Sequence, residues 1–439
     1  ITTRLVGSEM CIRDRYLYKY TGDYKYLQFA KYIVAQWETP EGPQLITKAI
    51  NGVPVAARFP HPFDWFSPEN GQKAYEMMSC YIGLLELYKV THNAAYLDAV
   101  QKTVNDIANT EINVAGSGSA FESWYSGRKY QTSPTYHTME TCVTFTWMQL
   151  CDKLLALTGN PFYADQIEKS LYNALMAALK DDASQIAKYS PMEGHRCEGE
   201  EQCGMHINCC NANGPRAFAL IPDFAVKKMG NEVYVNYYGD MSASLENGHN
   251  KVLVKQHTTY PVSNVIDITI DVTKENVFGL HLRVPVWSAQ TVITLNGEEL
   301  KDICPGTYHA ITRKWKKGDH IQIILDMPAR LLEQNQMQAI VRGPIVLARD
   351  SRFNDGFVDE TLVVDSEDGI VKAEVDSVPG FAWMRLKVPV TVGTDLEGVG
   401  MYRNISFCDF ASAGNTWDKQ VRYRVWIPRT LDVKKGHLK

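Results

Sequence analysis

Six of the ten cysteines in this 439-residue chain fall between positions 142 and 210: Cys142, Cys151, Cys197, Cys203, Cys209 and Cys210. Sulfur so concentrated in one stretch of a long chain points to a metal or catalytic site more than to a secreted disulfide framework. Cys209 and Cys210 are adjacent, a geometry too strained for a disulfide between them. Upstream, Glu140-Thr141-Cys142 opens a predicted helix that runs through Trp147 to Leu157. One carboxylate and three thiolates form a complete tetrahedral set for Zn2+. The spacing matches no common zinc finger, and His195, Cys197, Cys203 and His206 are the competing ligands. Cys80, Cys151 and Cys408 read as buried, inert thiols.

After the cysteine pair come Asn211-Ala212-Asn213-Gly214-Pro215-Arg216 and an apolar run to Ile221. Asn213 or Gly214 as cap, with Pro215 in the first turn, predicts a helix starting there. The thiols then sit just ahead of a helix N-terminus, whose partial positive charge favours thiolate. Proton chemistry falls to glutamates. Glu122 lies between aromatics in Ala120-Phe121-Glu122-Ser123-Trp124, after the Gly116-Ser117-Gly118-Ser119 loop. Apolar neighbours raise a carboxyl pKa, as a general acid requires. Glu168 falls on a predicted helix, where a surface i,i+4 charge is the plain reading.

The elements that position these groups change character along the chain. Residues 16 to about 225 read as helical and the remainder as strands. Three segments share one pattern: Tyr20-Thr21-Gly22-Asp23, Val90-Thr91-His92-Asn93 and Leu157-Thr158-Gly159-Asn160. Each lies between apolar helical stretches. Gly suits the left-handed residue that ends a helix, Asp or Asn caps the next, and Pro161 fits a first turn. These are αα-hairpin turns starting at positions 20, 90 and 157, intervals of 70 and 67 residues. That period points to a helical toroid around a central cavity. From Val233 the period becomes two: Val265 to Val272 alternates with its isoleucines on one face, and Val292 to Leu295 runs into an Asn296-Gly297 hairpin. Leu280 to Val286, His320 to Leu325, Ala339 to Arg342 and Arg422 to Ile427 continue the pattern. The organisation expected is a helical domain over 16–225, an antiparallel β-sandwich over 226–350, and a second sandwich, or completion of the first, over 351–439.

A 45% hydrophobic and 22% charged composition is ordinary for a globular chain with a sizeable core. A net charge of −5 without a basic block argues against nucleic-acid or anionic-membrane binding, and no run reaches the ~18 apolar residues of a membrane span. Residues 1–15, including Cys11, contain LVGSEMCIRDR, which resembles translated sequencing-adapter DNA joined to a truncated reading frame. They are set aside from fold reasoning, and localisation is left unassigned.

Glu140-Thr141-Cys142, Glu168-Lys169-Ser170-Leu171-Tyr172-Asn173-Ala174-Leu175, Cys209-Cys210-Asn211-Ala212-Asn213-Gly214 and Gly343-Pro344-Ile345-Val346 together resemble the β-L-arabinofuranosidases of glycoside hydrolase family 127. The likeness runs from about Tyr16 to the last strands. It implies a partial (α/α)6 barrel followed by β-sandwich domains, and a zinc-dependent, retaining exo-glycosidase with a cysteine nucleophile. By position, Cys209 would be the nucleophile and Glu122 the acid and base. Glu140, Cys142, Cys209 and Cys210 would hold Zn2+. Glu168 would contact sugar hydroxyls, and Tyr189 would line the pocket. The partner implied is a plant-derived glycan; a homo-oligomer is compatible with the resemblance. The family barrel begins upstream of this chain's start and uses histidines there, and Gln72 stands where relatives carry His. Two further readings are another furanoside or acidic pectin sugar as substrate, and a non-catalytic scaffold in which zinc is structural.

Overall fold

The repeated turns recur in the structure with one hydrogen-bonding scheme. The hydroxyls of Thr21, Thr91 and Thr158 donate to the carbonyl four residues back at 2.7, 3.0 and 2.7 Å. Each hydroxyl also accepts the N–H two residues on, at 3.1, 3.4 and 3.3 Å. The residue between is left-handed: Gly22 and Gly159, but also His92 at φ 53°. Asp23, Asn93 and Asn160 then cap the following helix through their side-chain oxygens at 3.1, 3.1 and 3.0 Å.

The computed structural model describes residues 16–58, 73–133, 136–199, 208–247, 250–376, 380–394, 400–429, 431–432 and 437–438. Residues 1–15 with Cys11, and Gln72, Cys203 and His206, lie outside the described residues. The helices that matter for the site are α1 (Tyr24–Trp37), α2 (Leu45–Ile50), α3 (Ala74–Thr91), α4 (Ala94–Asp106), α5 (Thr141–Thr158), α6 (Pro161–Ser170) and α7 (Cys210–Ala225). Helices α3 and α5 bury almost their whole circumference, whereas α1, α4 and α6 bury one stripe. The first two are therefore central: α3 packs on α4 and α5, and α5 on α6 and α7. One apolar core runs through this part from Leu27 to Phe224.

Helix α7 starts at Cys210 with Cys209 as its cap, so Pro215 and Pro222 lie inside it. The predicted start at Asn213 or Gly214 is several residues too late. Asn208 supplies the missing signal: its Oδ1 accepts the Cys210 N–H at 3.0 Å. Pro215 removes only the bond to the Asn211 carbonyl, and Asn211 is exposed to water that replaces it.

From Val226 the chain forms sheets. Val265–Val272 buries Ile266, Ile268, Ile270 and Val272 on one face, as its alternation predicts. Asn296 and Gly297, both with positive φ, make the two-residue hairpin turn. Among the described strands the pairing is antiparallel except that Glu232–Val235 runs parallel to Asn276–Val284, and an isolated bridge between Leu362 and Arg429 is also parallel, which departs from the all-antiparallel expectation. A twelve-stranded sheet joins strands on both sides of residue 350: Ile345–Asp350 pairs with Gly400–Asp409 and Tyr423–Arg424. Hydrogen bonding is thus continuous across residue 350, where the sequence left open a second sandwich or completion of the first. Glu193–Gly194, from the helical part, joins the same sheet.

The helical part and the sheets meet at a polar seam. Asn173 donates to the Pro344 carbonyl and accepts the Val346 N–H, both at 2.8 Å. Arg283, fully buried, pairs with Asp165 and Glu168 of α6. Tyr172 donates to the Tyr237 hydroxyl at 2.7 Å.

Candidate active site

Two helix N-termini converge on one point. Glu140 caps α5 and Cys142 is in its first turn; Cys209 caps α7 and Cys210 follows. The four ligand atoms of Glu140, Cys142, Cys209 and Cys210 lie within 4.8 Å of one another. Cys142 Sγ is 3.0 Å from Cys209 Sγ and 3.3 Å from Cys210 Sγ. Glu140 Oε1 is 3.6 and 3.8 Å from the sulfurs of Cys209 and Cys210. Ligands ~2.0–2.3 Å from a common centre require edges of roughly 3.3–3.8 Å. Three of these separations fall in that range and only Cys142–Cys209 is shorter, so a small shift of one sulfur fits the residues to a tetrahedral Zn2+. Three soft thiolates and one carboxylate favour zinc over magnesium or calcium. No other such group occurs among the described residues; Cys197 is exposed and belongs to none, and Cys203 and His206 lie outside the described residues.

Burial divides the four. Glu140, Cys142 and Cys210 are buried, and only Cys209 is open to solvent. Hydrogen bonds from Cys142, then from Cys210, hold the Cys209 thiol well below its ordinary range. The contact with Cys209 pushes Cys142 up, and Cys210 also rises. Of the three thiols, the exposed one is the one whose neighbours favour thiolate. Burial, with Glu122 and Cys209 as anionic neighbours, pushes Glu140 well up. A cluster of this kind carries the excess negative potential that a dication relieves.

Glu122 is held by two lysines. Its Oε2 lies 2.6 Å from Lys73 Nζ and its Oε1 3.0 Å from Lys188 Nζ. Burial alone would raise its carboxyl, but the two ammoniums outweigh that and keep it below the usual range. The expectation of a raised pKa is corrected: the flanking aromatics desolvate Glu122 less than the lysines stabilise its charge. Phe121 and Glu122 both have positive φ, a strained backbone of the kind found where a side chain must be aimed. Glu111, fully buried, pins that loop by accepting the N–H groups of Tyr125, Ser126 and Gly127. The glycine-serine stretch before it is packed, not floppy: a Cβ on Gly116 would stand 2.6 Å from the Ser170 nitrogen.

Tyr189 is a neighbour of the cluster. Its backbone pairs with Glu140, its ring meets His137 edge-on at 5.1 Å, and His137 stacks on Phe121 at 4.6 Å. Glu168 is not a neighbour. It is 1% exposed, accepts from Tyr260 at 2.7 Å and pairs with Arg283, so its expected contact with sugar hydroxyls is corrected to a place in the seam. A carboxylate so enclosed has no open face for a sugar.

Residues 7–223 match the description "Beta-L-arabinofuranosidase, GH127 catalytic domain" and residues 232–327 "Beta-L-arabinofuranosidase, GH127 middle domain". The chain belongs to glycoside hydrolase family 127. It is 22% identical over 382 residues to a non-reducing end β-L-arabinofuranosidase of Bifidobacterium longum, covering 77% of this chain. It spans 56% of that relative's length. A crystal structure of a GH127 β-L-arabinofuranosidase from Geobacillus stearothermophilus superposes with TM-score 0.77 at 18% identity, covering 95% of this chain and 71% of that one. A second GH127 β-arabinofuranosidase gives 0.75 at 21%, covering 97% and 69%. These structures share the fold: a helical part followed by sheets.

Three residues of this GH127 site escaped the sequence reading. Lys73 and Lys188 approach Glu122 from distant segments. Glu76, in the first turn of α3, has its carboxyl raised by burial, with Glu122 and Cys209 adding to the effect. The one available signal was the i,i+3 spacing of Lys73 and Glu76 at a helix start, which puts both on the side facing Glu122.

Proposed function

We propose that this protein is a zinc-dependent, retaining exo-glycosidase that removes terminal β-L-arabinofuranosyl units from plant-derived glycans. Its helical hairpins would belong to an (α/α)6 toroid and its sheets to β-sandwich domains. The observation that carries the reading is the convergence of Glu140, Cys142, Cys209 and Cys210 with Cys209 alone exposed. The names of its GH127 relatives supply the sugar.

Cys209 Sγ attacks the anomeric carbon as the glycosidic C–O bond breaks, and Glu122 passes a proton to the departing oxygen. The products are an alcohol and a sugar joined to Cys209 through C–S. Water then attacks the same carbon, Glu122 takes its proton, and the C–S bond breaks to restore the thiolate. Glu122, held as a carboxylate by Lys73 and Lys188, is ready for the second half; the first half uses its protonated form. Glu140, Cys142, Cys209 and Cys210 would hold zinc, which would supply a positive charge that keeps sulfur anionic at neutral pH. Tyr189, His137 and Phe121 offer an aromatic wall for the sugar.

The test is hydrolysis of an aryl β-L-arabinofuranoside by the wild type and by Cys209→Ala and Glu122→Gln. Both substitutions should abolish turnover at saturating zinc. Activity surviving both refutes the assignment. A panel of aryl furanosides and acidic sugars reads out the substrate.

A further inference from the structure

Asn213 joins Cys142 to a charge on the protein surface. Its Nδ2 lies 3.1 Å from Cys142 Sγ, and its Oδ1 accepts from Arg216 Nη1 at 2.8 Å. A guanidinium has only N–H groups to offer, so the amide oxygen must face Arg216 and the NH2 must face sulfur. The sulfur of Cys142 is therefore an acceptor. Arg216 lies 4.7 Å over the ring of Phe145, which is one turn beyond Cys142 on α5. The links Cys142, Asn213, Arg216 and Phe145 close a ring between the first turns of α5 and α7. Asn213 is 5% exposed, so water is a poor alternative partner for its N–H.

Resting on the reading of the four residues as zinc ligands, we propose that Asn213 is a positioning residue that keeps Cys142 a standing metal ligand. An N–H aimed at a thiolate draws density from the sulfur and fixes its direction, as outer partners of metal ligands do. Cys142 is 1% exposed and so held, while Cys209 is exposed and stays available to carbon. Division of labour between like sulfurs then follows from Asn213 and burial together.

The experiment loads the protein with Co2+ and measures the sulfur-to-cobalt absorption bands and the affinity against a competing chelator. Asn213→Ala should move a band to lower energy and weaken Co2+ by ~10–100-fold, the range for lost outer partners. Arg216→Met, at an exposed position, should move it the same way by less. Thr146→Val removes a hydroxyl bonded to the Cys142 carbonyl at 2.8 Å, not to its sulfur, and should leave the band in place. Thiolate bands in the wild type that stay fixed in energy and affinity in Asn213→Ala overturn this inference and leave the metal site standing. If Asn213→Ala does not fold, an unmoved band in Arg216→Met overturns it instead. Absence of thiolate bands from the wild type overturns the metal reading, and this one with it.

Discussion

Arg283→Met tests whether Glu168 belongs to the seam or to the sugar. Arg283 is fully buried; its Nη1 and Nη2 each stand 2.5 Å from a carboxylate oxygen, of Asp165 and Glu168 respectively. Removing the guanidinium strands two buried carboxylates, a change worth about 3–5 kcal/mol of stability. Glu168→Gln keeps an oxygen for Tyr260 and Arg283 and exchanges charge-assisted bonds for neutral ones, at about 1–2 kcal/mol. A pH signature accompanies this. Burial pushes Asp165 up to about 6, although Arg283 pulls it down, because Glu168 shares the same guanidinium. Arg283 itself is pushed further up and stays charged, so the two partners point in opposite senses about the strength of the pair. Since the guanidinium cannot lose its proton, the carboxyl is the group that titrates. Its folded value lies above its unfolded value of 3.8, so its contribution is fully present below that value and is lost as pH rises to about 6. Urea unfolding followed by far-ultraviolet circular dichroism should show stability falling across that window in the wild type and not in Asp165→Asn. The reasoning fails if Arg283→Met costs less than about 1 kcal/mol. It fails equally if Glu168→Gln raises the KM of a substrate while its unfolding curve stays in place.

Other substitutions test the rest of the site. Lys188→Met removes one of two ammoniums from Glu122, so the carboxyl rises and the alkaline limb of the kcat/KM profile moves to higher pH, by about one pH unit for a charge-assisted bond of ~1.5 kcal/mol. An unmoved limb contradicts the clamp. Cys210→Ser removes a buried ligand and should weaken zinc by more than the ~10–100-fold typical of outer partners, measured by chelator competition. Asn160→Ala removes the cap between α5 and α6 and should lower stability by about 1 kcal/mol without altering zinc affinity, read by urea unfolding and metal titration side by side.

What the sequence made legible was local. The threonine-based turns were readable because every partner lies within four residues, and the start of α5 because Glu140 and Cys142 precede a long apolar run. Helix α7 was misplaced because Pro215 is a strong start signal on average, while the deciding contact, Asn208 to Cys210, is an individual geometry. Lys73 and Glu122 meet across 49 residues and Glu168 and Arg283 across 115, separations no spacing rule can bridge. The Glu168 motif and Gly343-Pro344-Ile345-Val346 were read alongside the catalytic motifs, yet Glu168 pairs with Arg283, and Asn173 ties α6's extension to Pro344 and Val346, all within the seam. Residues that hold two parts of a molecule together leave the same local trace as residues that hold a ligand.

With zinc in the cluster as proposed, metal competes there with protons, and that competition would set limits on the whole site. Contacts with the other two sulfurs push Cys142 up; Cys210 is pulled down by Cys142 but raised further by Cys209 and burial; burial raises Glu140. These three therefore favour their protonated forms without metal, while Cys209 does not. Zinc requires thiolate and carboxylate, so binding must expel those protons. Titration calorimetry in buffers of differing ionisation enthalpy should find release of about two protons per zinc or more, one from each raised thiol. Release of none would mean that the thiols are already ionised, and that the two helix N-termini stabilise the charge without a cation. Proton release makes apparent zinc affinity fall with acidity, while Lys73 and Lys188 make the protonated form of Glu122 scarce as pH rises. In the proposed mechanism, loss of metal would then bound activity on the acid side and loss of the Glu122 proton on the alkaline side. The two bounds respond to different residues: Lys188→Met raises the alkaline one through Glu122, and Asn213→Ala shifts the acid one through Cys142.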